Sequence, residues 1–149
     1  MAYTNRVSED MYPLVSEYAD SLTAVAHTSA YVSLANYHRA WLYLNIGEMQ
    51  QGSSLNVAFM QATTTAGAGP AKVLTPAKGI AELTAAAGDG DQLVCIELQT
   101  SELDVDGGFD CVAVLLTIAG ATVELAWSLF GVISRFKAVP TTNWEEIVA

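Results

Sequence analysis

From Thr28 onward, apolar and polar positions alternate with a period of two, the spacing of a half-buried strand. In HRAWLYLNIG (38–47), Trp41, Tyr43 and Asn45 point one way and Leu42, Leu44 and Ile46 the other. In SLNVAFMQA, Leu55, Val57 and Phe59 share a face. The pattern predicts eight strands: 30–35, 38–46, 54–62, 71–75, 79–85, 91–99, 108–117 and 122–133. Turn signals separate most of them: TTTAGAGPAK after the third, GDGD at 88–91 and VDGG at 105–108. SELD at 101–104 has capping-box spacing and predicts one helical turn. No long helical pattern lies between the strands. The expected fold is all-β: an antiparallel β-sandwich, jelly-roll-like, with strand order left open.

Residues 1–27 break the pattern. Ser8 is placed to cap a helix, but Pro13 would interrupt it, so this stretch is read as an N-terminal arm or short helix ahead of a β-sandwich domain at 28–149. It lacks the basic and then apolar regions of a secretory signal. Residues 111–134 are apolar enough to span a bilayer, with Glu124 their only charge. The IAGAT turn signal in their middle makes two strands the better reading.

Composition narrows the function. The chain is 52% hydrophobic and 15% charged, with mean hydropathy +0.32. The charged share is well below the roughly 25% of ordinary soluble domains. Unless the excess is exposed alanine, some apolar surface is covered by other copies or a partner. A net charge of −10 with six Lys and Arg disfavours nucleic acid and anionic membranes.

Candidate chemistry is sparse. Asp89, Asp91, Glu102, Asp104, Asp106 and Asp110 could offer oxygen ligands to calcium, but they fit no EF-hand loop, and Asp and Gly are what tight turns prefer. The same placement argues against a glycosidase carboxylate pair. His27 and His38 lack further ligands at metal spacing, and QGSSL is not a nucleophile elbow. AGAGPAK is not a phosphate loop. Cys95 and Cys111 sit in apolar runs and read as small buried thiols or a cross-strand pair. Tyr31, Tyr37, Trp41, Tyr43 and Phe59 could stack on sugars, though at period two they more often pack sheets. No catalytic, metal or cofactor residues are assigned, and none of the motifs indicates an enzyme.

YVSLANYHR (31–39), QATTTAGAG (61–69), GDGDQLVCIELQTSELDVDGGFDCV (88–112) and AVPTTNWEEIV (138–148) resemble blocks shared by a group of small tailed-bacteriophage virion proteins. The resemblance covers about residues 28–148, although the connector here lacks the group's usual aspartate. It implies a structural virion component on the outer capsid surface, a capsid decoration (cement) protein. Its partner would be the major capsid protein. It would be a homo-oligomer, and a trimer if it occupies threefold positions. A tail or head–tail junction protein, or a carbohydrate- or host-binding sandwich, is the alternative. Tyr12, Leu14, Tyr18, Tyr37, Trp41 and Tyr43 are the expected partner-interface residues, because the arm and the second face of strand 38–46 need a cover.

Overall fold

The structure, a computed structural model, describes residues 11–67 and 69–134, apart from the side chains of residues 18–21 and 134. Ten strands follow one another: β1 (Met11–Thr23), β2 (Ala26–Thr28), β3 (Val32–Ser33), β4 (Tyr37–Met49), β5 (Ser54–Ala62), β6 (Ala71–Val73), β7 (Gly79–Thr84), β8 (Gln92–Gln99), β9 (Cys111–Ala119) and β10 (Thr122–Ser134). All pairings are antiparallel. One sheet has the order β1-β10-β4-β8. In the other, β9 and β5 are central, β2 and β3 share the far side of β9, and β6 and β7 share the far side of β5. Read as two interrupted strands, those pairs leave two four-stranded sheets connected as in a jelly roll.

The alternation decides which residues face inward. Ala40, Leu42, Leu44 and Ile46 of β4 are at most 1% exposed. They meet Leu55, Val57 and Phe59 of β5 and Val112, Val114, Leu116 and Ile118 of β9 across the sandwich. Trp127 and Leu129 of β10 complete this layer.

One of the crossings between the sheets is a two-residue turn. β9 belongs to one sheet and β10 to the other, and the IAGAT segment joins them through Gly120. Gly120 has φ +78°, and a side-chain carbon there would lie 2.0 Å from the Gly52 carbonyl oxygen. Only glycine combines that conformation with that approach. The apolar stretch 111–134 is thus two strands of a sandwich.

Three expectations shift. Residues 11–23 are neither helical nor set apart from the sandwich: they form β1, bonded along β10, while residues 1–10 lie outside the described ones. Two register irregularities, at Pro13/Val15 and Ala19/Leu22, break the alternation and hide this strand. The helical turn near 101–104 is a 3-10 turn at Thr100–Glu102, and its capping contact is two residues earlier: the Gln99 amide donates to Glu102 Oε2 at 2.6 Å. Cys95 is exposed on β8 and Cys111 buried on β9, in different sheets, so they are neither a pair nor both buried.

Phe59, fully buried at the sandwich centre, sets the first test. Phe59→Ala should cost about 3–5 kcal/mol in urea unfolding. Gly120→Ala should destabilise by about 1–3 kcal/mol through backbone strain alone.

Candidate interface on the outer face of the four-stranded sheet

The same alternation that fills the core leaves β4 with a second row of large side chains. Trp41 and Tyr43 point away from the core and are half-buried. Across β10, Phe130 stands opposite Trp41 and Ser128 opposite Tyr43. The rings meet edge to face: Trp41 and Tyr43 have centroids 6.2 Å apart, and Tyr43 and Phe130 have centroids 6.0 Å apart. Such geometry is favourable beyond area burial alone. On β8 the row continues through Leu93, 68% exposed, and Cys95.

Part of this face is concave. A shallow groove of about 710 Å³ runs over Tyr43, Phe130 and Leu93, with Asn45, Ser16 and Ser128 among its polar lining. The two serine hydroxyls hydrogen-bond to each other at 2.8 Å. The Trp41 indole N–H is covered yet has no hydrogen-bond partner among the described residues.

The described cations are all tied. Arg39 pairs with Glu97 on its β8 side. Glu17, which lines the groove, accepts from or shares a proton with His27 Nε2 at 2.5 Å, linking β1 to β2. Lys72 meets Asp104 at 2.5 Å and Lys78 meets Glu102 at 2.7 Å. Every Lys and Arg among the described residues is therefore held by a carboxylate.

The expected interface residues separate into groups. Trp41 and Tyr43 lie on the outer face. Tyr12 and Tyr37 are 3% and 6% exposed and belong to the core. Their rings, 6.1 Å apart, meet beside Gly131, which faces Tyr12 across the ladder and lies under the Tyr37 ring. A residue with no side chain makes the room that draws both tyrosines inward. Burial, with the neighbouring Tyr12, raises the Tyr37 pKa. Leu14 sits at a register irregularity of β1 and packs against the core. The side chain of Tyr18 lies outside the described residues; its main chain pairs with Ala126. Of the other candidate stacking rings, Phe59 is core, and Tyr31 lies against Gly67 of the connector. Phe130 and Leu93 were missed. The alternation in TVELAWSLFG places Ala126, Ser128 and Phe130 on one side, but which strand they adjoin is not written locally.

The acidic turns are built as turns. Asp89 accepts from the Thr84 amide at 2.9 Å, and Asp104 from the Gly107 amide at 3.1 Å. Among the described residues no three His, Cys, Asp or Glu side chains come together as a metal site would require. His38 is exposed in a separate polar recess with Arg39 and Thr100, and its carbonyl accepts from the Thr100 hydroxyl at 3.2 Å. Among the described residues no nucleophile–base pair forms on the outer face; what they offer there is stacking surface, hydroxyls and an amide.

No family model matches the chain, and no curated protein matches it. Among solved structures, one of Desmodium yellow mottle tymovirus is similar at 12% identity and TM-score 0.41, over 86% of this chain and 89% of that one. One of infectious bursal disease virus, Gt strain, is similar at 9% identity and TM-score 0.25, over 87% of this chain and 44% of that one.

Two measurements check the electrostatics. The hydrogen bonds from Lys72 and from the Gly107 amide hold the Asp104 carboxyl below its usual range. For Glu102 burial pushes upward, but Lys78 and the Gln99 amide outweigh it. Groups lowered on folding add stability above their ordinary range, and that stability is lost as pH falls through the lowered values. Melting temperature should therefore drop from about pH 5 to pH 3, and Lys72→Met with Lys78→Met should shrink that drop. Burial, reinforced by Asp110, pushes the Cys111 thiol up to about 11. In the folded protein a thiol reagent should modify Cys95 and spare Cys111.

Proposed function

We propose that the protein is a structural component of a virion, specifically a decoration protein of a tailed phage that binds the assembled major capsid protein on the outer surface of the head. The observation that carries this reading is the outer face of the β1-β10-β4-β8 sheet, where Trp41, Tyr43 and Phe130 form an aromatic row beside the Arg39–Glu97 pair. Half-exposed aromatics are the residues that protein interfaces favour. The resemblance of 31–39, 61–69, 88–112 and 138–148 to tailed-phage virion proteins supports the same reading. So does the jelly roll, a fold used by capsid, lectin and cupin domains alike, though the fold does not choose among them. Assembly as a homo-oligomer, trimeric at threefold positions, belongs to this proposal, as do an interface role for Tyr18 and a capsid-binding role for the arm.

The test is capsid occupancy. Purified protein should bind capsids lacking it, and Trp41→Ser with Tyr43→Ser should weaken binding about tenfold or more while far-UV circular dichroism stays unchanged. Deleting residues 1–10, which this reading assigns to the arm, should lower occupancy while the pairing of β1, described from Met11, with β10 is kept. Full occupancy by both variants would refute the reading, and recovery of the protein on isolated tails would place it there instead. One feature favours a second reading: Asn45, Ser16 and Ser128 beside Tyr43 and Phe130 suit a sugar ring. Glycan binding abolished by Tyr43→Ala in a folded protein would support that reading over the first.

A further inference from the structure

Sheet edges expose unpaired main-chain groups, and natural proteins blunt them with proline, lysine, bulges or short interrupted strands. Three of the four edges here are blunted. β1 carries Pro13 and two register irregularities. β2 and β3 are three and two residues long. β6 and β7 are interrupted, and Lys72 and Lys78 stand on or beside them. β8 is different. It runs unbroken for eight residues, QLVCIELQ, without proline or lysine, and pairs with β4 without a register shift.

The ladder shows which of its main-chain groups are unused. The Asp91 amide donates to the Gly47 carbonyl at 3.0 Å. In an antiparallel ladder bonded residues alternate, so the main chains of Leu93, Cys95 and Glu97 are turned to β4. Those of Gln92, Val94, Ile96 and Leu98 point to the side of β8 that no strand pairs with among the described residues. The midpoint of these four positions is Cys95.

We propose that β8 is a self-association edge, pairing antiparallel with β8 of a second copy about a twofold axis at Cys95. That axis is the one that pairs all four outward positions: Gln92 with Leu98 and Val94 with Ile96 of the other copy. It sets Leu93 against Glu97 and Asp91 against Gln99, so no like charges face each other. Moving the axis one residue back, to Val94, would set Asp91 against Glu97. Glu97 is already neutralised by Arg39. The exposed side chains of Leu93 and Cys95 lie on the side of the sheet that would become continuous between the copies. The interface is isologous and closed. It is independent of any role in a virion, because it needs only a second copy of this chain.

Cys95 reports on the register. At the axis it forms a non-hydrogen-bonded pair with its own copy, with Cα atoms about 4.5 Å apart, within disulfide reach. Mild copper–phenanthroline oxidation of the full chain should give a covalent dimer whose cross-linked peptide joins residue 95 to residue 95. In Cys95→Ser, Leu93→Cys alone should cross-link poorly, whereas Leu93→Cys with Glu97→Cys should cross-link efficiently. Sedimentation should show a dimer, or paired trimers where the threefold assembly also forms, and Val94→Pro should weaken the twofold association about tenfold or more. That variant removes an outward amide and leaves the bonds to β4. Should it fail to fold, the cross-link pattern of the unsubstituted edge still decides. A monomer at high concentration overturns the proposal. So does a dimer that cross-links in another register, or slow amide exchange at Val94 and Ile96 in a monomer, which would mean another part of the chain covers the edge.

Discussion

The inner faces of the two sheets meet through Leu42, Leu44 and Ile46 on one side and Leu55, Val57, Phe59, Val114 and Leu116 on the other. This contact is made by side chains that alternate strictly along each strand, so filling it determines where every remaining side chain goes. Once Leu42 and Leu44 are committed inward, Trp41 and Tyr43 must face outward. A one-residue slip of β4 would bury the aromatic row and expose the leucines. The outer face is a by-product of the core's geometry, yet it carries an aromatic row, which a face that meets only water would not need.

Much of this was legible in the sequence. The strand predicted at 54–62 is the one found, and those at 38–46, 79–85, 91–99 and 122–133 are displaced only at their ends. Period-two alternation is a local property, and local properties can be read. β1 was not read, because Pro13 and its two irregularities disrupt the period. The outer site was half legible. Trp41 and Tyr43 followed from alternation, but Phe130 joins them only because β10 lies beside β4, and that adjacency comes from pairing distant segments. Tyr12 and Tyr37 looked like interface residues until Gly131, more than ninety residues away in sequence, was found to open a place for both.

Charge follows a different division, between paired cations and surplus acids. The described cations are each spent on a carboxylate: Arg39 on Glu97, Lys72 on Asp104, Lys78 on Glu102. Exposed pairs of this kind add little stability. The acids left over stand partly in turns, where Asp89 accepts from a main-chain amide, and partly on strands, as at Glu48 on β4 and Glu124 on β10.

β10 occupies an interior position in its sheet, bonded to β1 along one edge and to β4 along the other. A load applied to the chain beyond Ser134 would pull β10 lengthwise, against two antiparallel ladders in shear rather than one ladder peeling bond by bond. Because hydrogen bonds in shear must break together, the strand is held at its exit like a tongue in a double groove. A strand so placed resists being drawn out lengthwise more than an edge strand such as β8, which is paired on one side among the described residues.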